Sequence, residues 1–373
     1  MKRSRRAAAV VAGIALVVAP ATSASAGGGH GGGHGADDAV TAVATGLDGP
    51  RQVSDYRGHR VVVAESDTGE VSSVSLRTGQ VRTLLGGLGN AQGVDHQDGR
   101  LYVAVGASAP PEPGAPPAPP APYASALLVA RPGGAVEHEI DLLAYELEHN
   151  PDGQLQFVPD GAPLDALSNP FAVLAQDERV LVADAGANAV ISVDRRTGEP
   201  STFFVPPVVT DVPGCAELPN NDPGTFGCDS VPTGIAEGPH GLVYVSTLGA
   251  EVPGAARVYV LDHRGELVRV LEDLTALTGI AVDRRGTVYV SDLFANAPQG
   301  EPGPEFDPTP VGELTRIERD GDRSTAPVTL PTGLLVEKGE LYASAWSLTL
   351  PGTPPGSGRL VRVGADAFTA IDD

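Results

Sequence analysis

The feature that most limits the fold of this chain is a strand-turn-strand unit that returns six times between residue 49 and the C-terminal end. Each copy opens on a small or turn-forming residue, runs through a short apolar strand, turns, and leaves through a second apolar strand ending in Ala or Ser. The second strands read Val61-Val62-Val63-Ala64, Leu101-Tyr102-Val103-Ala104, Val180-Leu181-Val182-Ala183, Val243-Tyr244-Val245-Ser246, Val288-Tyr289-Val290-Ser291 and Leu341-Tyr342-Ala343-Ser344. A third strand with period-two alternation follows in every unit, as in Ala189-Val190-Ile191-Ser192-Val193, and a fourth in most, as in Leu267-Val268-Arg269-Val270-Leu271. Four antiparallel strands per unit predict an all-β, six-bladed β-propeller of the NHL or YWTD kind.

Position within each unit has a physical meaning. Gly, Ala and Thr gather around the first strand, where six blades converge and bulk would collide. Tyr102, Tyr244, Tyr289 and Tyr342 recur at one place in the second strand, with Val62 and Leu181 as their counterparts, and read as packing between blades. Closing the ring removes exposed sheet edges, so one chain end must complete the last blade. The segment 39–44 is placed to do so as an N-terminal strand, and 367–371 is the competitor.

Residues 1–26 have the form of a signal peptide: Lys2, Arg3, Arg5 and Arg6, an apolar run, and Ala24-Ser25-Ala26 at the cleavage point. Residues 27–37, rich in Gly with His30 and His34, read as a flexible linker, and 38–373 as the propeller. The formal charge is −22, and loss of the leader's cations takes it to about −26. Nucleic acid is therefore an unsuitable partner, and no later stretch approaches a membrane span.

The Pro- and Gly-rich excursions 107–124, 295–310 and 350–357 fall between second and third strands, on one face of the disc. The segment 141–148 has helical apolar spacing and is ended by Asn150-Pro151-Asp152-Gly153. Cys215 and Cys228 are the only cysteines, and in an exported chain they are expected to form one disulfide.

Glu65, Asp184 and Asp292 follow the second strand in alternate units. Converging with Asn90 and Asn169 they would offer oxygens to calcium; turned back, each caps its own turn. No nucleophile elbow, zinc helix or phosphate loop appears, and His59, His96 and His240 fall in presumed turns between first and second strands.

Further segments carry a resemblance. They are Gly46-Leu47-Asp48-Gly49-Pro50-Arg51, the run 141–153 with Tyr145-Glu146, and Ser168-Asn169-Pro170-Phe171 with Val182-Ala183-Asp184-Ala185-Gly186-Ala187-Asn188. Pro253-Gly254-Ala255-Ala256-Arg257-Val258-Tyr259 and Pro331-Thr332-Gly333-Leu334 complete the set. In these the chain resembles the ScyD/ScyE family of exported bacterial proteins, which implies a six-bladed propeller and export without supplying catalytic residues. The Gly/His linker, the insertion after Gly106 and the His96 turn depart from the family pattern.

The expected function is a non-catalytic module that binds a small molecule or an envelope or extracellular protein on its loop-rich face, with no cofactor. The alternatives are a calcium-dependent hydrolase or lactonase built on Glu65, Asp184 and Asp292, and a structural accessory protein of the cell envelope.

Overall fold

The computed structural model describes residues 39–108, 122–298, 306–349 and 353–371. The leader and linker expected at 1–37 lie outside the described residues.

The first strand, β1 (Val40–Leu47), does not join the sheet that follows it. Blade one is β2 (Pro50–Asp55), β3 (Arg60–Glu65), β4 (Glu70–Ser75) and β5 (Val81–Leu85). Blade two is β6 (Ala91–Gln97), β7 (Arg100–Val105), β8 (Ala126–Ala130) and β9 (Val136–Asp141), followed by helix α1 (Leu142–His149). Blade three is β10 (Pro170–Ala175), β11 (Arg179–Asp184), β12 (Ala189–Asp194) and β13 (Pro200–Phe204). Blade four is β14 (Pro232–Glu237), β15 (Val243–Thr247), β16 (Ala256–Leu261) and β17 (Leu267–Leu274). Blade five is β18 (Leu277–Val282), β19 (Val288–Asp292), β20 (Glu313–Ile317) and β21 (Arg323–Pro327). Blade six is β22 (Leu334–Glu337), β23 (Glu340–Ala345) and β24 (Gly358–Val363), completed on its outer edge by β1.

The protein is thus a six-bladed β-propeller. Its ring is closed by the N-terminal strand, with Val40 opposite Val363 and Leu47 opposite Gly358. The competing segment near the C-terminus goes elsewhere: β25 (Thr369–Ala370) pairs with β21 as a fifth strand of blade five. All six blades have a fourth strand, including β9 and β21, whose mixed polar sequences hide them from periodicity alone.

Six interblade cores hold the ring, and the recurring second-strand residue enters each one. Val62 packs toward Val94 of blade two, Tyr102 toward Val173 of blade three, and Leu181 toward Ile235 of blade four. Tyr244 packs toward Ile280 of blade five, Tyr289 toward Leu334 of blade six, and Tyr342 toward Val53 of blade one. The Tyr and aliphatic variants are interchangeable here because each fills the wedge between two twisted sheets that diverge from the axis.

Blades four to six are also stapled by a repeated side-chain bond. The Thr233 hydroxyl donates to the Leu277 carbonyl at 2.6 Å, Thr278 to Pro331 at 3.1 Å, and Thr332 to Pro50 at 2.9 Å, the last across the closing seam. The following glycine is obligatory: a Cβ on Gly279 would lie 1.9 Å from the Thr332 carbonyl oxygen.

Helix α1 starts where the Asp141 carboxylate accepts the Ala144 N–H at 2.8 Å. It stops at Asn150, left-handed at φ 44°, whose N–H returns to the Glu146 carbonyl. The disulfide joins Cys215 to Cys228 with Cα atoms 5.0 Å apart and is buried with Val209 and Ala255. Among the described residues no helix is long and apolar enough to cross a membrane.

Candidate functional site

In a four-stranded meander, connections from strand two to three and from strand four to the next blade leave on one face. The described ends of the three Pro- and Gly-rich excursions therefore share that face with two segments the sequence did not assign to it. These are 142–169, carrying α1, and 205–231, carrying the disulfide. Within the excursions, 109–121, 299–305 and 350–352 lie outside the described residues.

The structure does not gather Glu65, Asp184 and Asp292. Asp184 is fully buried; its Oδ2 accepts the Ser168 hydroxyl at 2.7 Å, and its Oδ1 accepts the N–H groups of Asn169, Gly186 and Ala187 at 2.6, 3.1 and 3.2 Å. Glu65 Oε2 accepts the Asp48 N–H at 2.8 Å, and Asp292 Oδ1 the Phe294 N–H at 3.0 Å. Each carboxylate thus finds donors beside its own strand end, and local N–H groups within hydrogen-bond reach win over a shared ion across the disc. Burial raises all three above the usual carboxylate range, Asp292 to about 6. The turn-capping reading of the three describes these contacts, and among the described residues no three His, Cys, Asp or Glu side chains group to hold a metal.

Asn90 and Asn169 do converge, on the root of an excursion. Asn169 Oδ1 accepts the Ala107 N–H at 2.9 Å, and Asn90 Nδ2 donates to the Ala107 carbonyl at 3.3 Å. His96 is not a solvated turn residue: it lies within β6, one residue before its end, half-buried, with its ring edge-on to Tyr56 at 4.8 Å. Burial, then the Arg57 charge, lowers its pKa.

A half-open cavity lies on the axis. The inner strands of blades one, three, four, five and six, with Asp95 of blade two, line this space of about 260 Å³, and Val53, Val173, Leu174, Ile235, Ile280 and Val336 are among its walls. Three carboxylates enter it, Asp55, Asp95 and Glu237, and its lining holds no Lys, Arg or His. Asp55 and Glu237 close their inner strands at the turns toward the second strands, so the charged mouth faces away from the long excursions.

Asp95 is fixed by two backbone donors, the Ala175 N–H on Oδ2 at 2.8 Å and its neighbour His96 N–H on Oδ1 at 2.7 Å. Burial pushes its pKa up to about 6 against those two bonds, and the Asp55 charge adds to the rise. Asp55 is raised by burial and by Glu337. Glu237 Oε2 accepts from Gln176 Nε2 at 2.7 Å.

Gln52 braces the same wall. Its Oε1 accepts the N–H groups of Val94 and Val173 at 3.1 and 2.9 Å, and its Nε2 donates to the Val173 carbonyl at 2.7 Å. This one side chain ties blades one, two and three, and Gly93 is bare because a Cβ there would lie 2.8 Å from Gln52 Oε1.

The sequence reading missed Asp55 and Asp95 because both resemble turn carboxylates. A signal was present: Asp95 stands in register with Ala236 and Ala281 of blades four and five and Leu174 and Leu335 of blades three and six, the one carboxylate at that inner-strand place.

On the opposite face Glu146 of α1 is buried and pushed up to about 7, first by burial and then by the charges of Asp152, Asp184 and Asp165. Gln156 Nε2 donates to its Oε1 at 2.8 Å.

No family model and no curated protein matches this chain. Among solved structures, the chain is similar to a gluconolactonase from Xanthomonas campestris, at 10% identity over 89% of each chain and a TM-score of 0.51. It is also similar to a protein of unknown function from Bacteroides thetaiotaomicron, at 12% identity over 87% of this chain and 75% of that one, TM-score 0.51. Likeness at this identity speaks to the propeller fold alone.

Proposed function

We propose that the chain is an exported propeller of the ScyD/ScyE kind that works as a binding module, and that its axial cavity takes a small organic cation, an ammonium group on a compact apolar body. The observation that carries this is the lining: apolar side chains from five blades beside polar atoms, three carboxylates and no basic side chain. Apolar contact holds the body of such a ligand, and charge-assisted hydrogen bonds to Asp95, Asp55 and Glu237 orient its nitrogen. Export rests on the basic and apolar leader and agrees with the disulfide.

Binding is favoured over catalysis by what the cavity hydroxyls do. Thr233 and Thr278 are committed to carbonyls of the next blade, and Ser54 meets Asp95 with no imidazole between them. The hydrolase alternative loses the carboxylate set on which it was built.

Calorimetric titration with hexylammonium tests the reading. Saturable binding is expected, weakened about tenfold or more in Asp95→Asn and in Glu237→Gln. The second variant lies at the mouth and leaves the inner packing intact. Hexanoate binding as tightly as hexylammonium would sink the proposal.

A further inference from the structure

The two long connections on the loop face, 142–169 and 205–231, differ from the rest of the molecule in composition and exposure. Together they carry nine Asp and Glu residues and no Lys or Arg. They also carry six of the nine exposed large hydrophobic side chains among the described residues: Leu147, Leu155, Phe157, Leu164, Val208 and Phe226. Phe226 is 51% and Leu147 49% exposed. In a monomer such side chains are normally scattered singly, and a concentration of them marks an interaction surface.

Hydrogen bonds clasp the two connections side by side. Leu155 N–H donates to Asp222 Oδ1 at 3.0 Å, Asn221 Nδ2 to Asp165 Oδ2 at 2.8 Å, and Gln154 Nε2 to Asp229 Oδ1 at 2.8 Å. The disulfide holds one connection internally, and the Asp141 cap and the Asn150 turn hold the other. Exposed apolar groups are therefore displayed from a fixed support, so little ordering entropy is left to lose on binding. Among the described residues only Asp211 of the nine acids has an ion-pair partner, Arg257 at 2.6 Å. Asp152, Asp165, Asp222 and Asp229 meet only amides and backbone N–H groups among the described residues.

We propose that this face is a docking platform for a basic, amphipathic polypeptide segment of another protein. Charge complementarity selects that occupant: the uncompensated acids repel a second copy of this chain, nucleic acid and anionic lipid, and attract Lys and Arg flanking an apolar stripe. The apolar side chains supply affinity, and the acids supply orientation and a salt-sensitive on-rate. The platform stands apart from the axial cavity, whose charged mouth opens on the opposite face.

The test is fluorescence anisotropy of a labelled amphipathic Leu/Lys helical peptide against the whole protein, with its Leu/Glu counterpart as control. Saturable binding of the Leu/Lys peptide that weakens with salt is expected, about tenfold or more weaker for the double variant Leu155→Ser, Phe226→Ser. Both positions are exposed, so the melting temperature should hold. Leu267→Ser with Val268→Ser, exposed on β17 outside the two connections, should leave binding unchanged. Equal loss in that control, binding of the Leu/Glu peptide, or self-association in sedimentation that disappears in the double variant would overturn the proposal.

Discussion

Blades four to six and blades one to three solve the same packing problem differently. Blades four to six each open on Thr-Gly, and each Thr hydroxyl donates to a carbonyl at the start of the next blade. In blades one to three the corresponding pairs are Arg51-Gln52, Gln92-Gly93 and Phe171-Ala172, and among the described residues they share no such staple. One Gln52 side chain does the work there, while Asp95 and Asp55 turn polar groups toward the axis. The lesson is that repetition maintains closure, and departures from the repeat are where side chains become free for recognition. Both clasped connections of the loop face likewise leave from the irregular half, after blades two and three.

The comparison can be broken at the interblade cores, where the two halves should behave alike. Tyr244→Ala in the regular half and Leu181→Ala in the irregular half should each cost about 3–5 kcal/mol in chemical denaturation, because each empties a wedge that neighbouring sheets cannot close. A much smaller loss in one half would show that closure is not shared equally.

The staples sharpen it. Gln52→Leu strands two N–H groups and a carbonyl at once and should cost about 2–4 kcal/mol, against about 1 kcal/mol for Thr233→Val, which removes one hydroxyl bond. Equal losses would remove the distinction between distributed and concentrated bracing.

A further effect is on pH. Glu146 is held at about 7, and Asp95 and Asp292 at about 6, all above the unfolded value of about 4. The folded state then keeps protons that the unfolded state has lost, so stability is greatest below the unfolded value and falls as pH rises through 6 and 7. Melting temperature should drop between about pH 5.5 and pH 8, and Glu146→Gln should flatten the upper part of that drop. A rise over the same interval would contradict the assignment.

Much of the fold was legible in the residues. Apolar alternation located the inner three strands of each blade, the helix followed from pattern and the disulfide from the lone cysteine pair, while the closing strand β1 was one of two candidates that pattern alone did not separate. The fourth strands β9 and β21 escaped because an outermost strand faces solvent and keeps little apolar signal. The site was less legible. Equivalent positions in Glu65, Asp184 and Asp292 suggested a shared purpose, but a carboxylate at a strand end is satisfied by the N–H groups nearest it. Asp95 reads as one more turn residue until the register sets it beside Ala236 and Ala281.

The axial binding reading is tested most directly by calorimetric affinity for hexylammonium as a function of pH. Asp95 must be ionised to hold an ammonium group and titrates at about 6, so affinity should be about tenfold tighter at about pH 7.5 than at pH 5. The dependence should vanish in Asp95→Asn. Affinity that is the same at both values, or tighter in acid, would contradict the account.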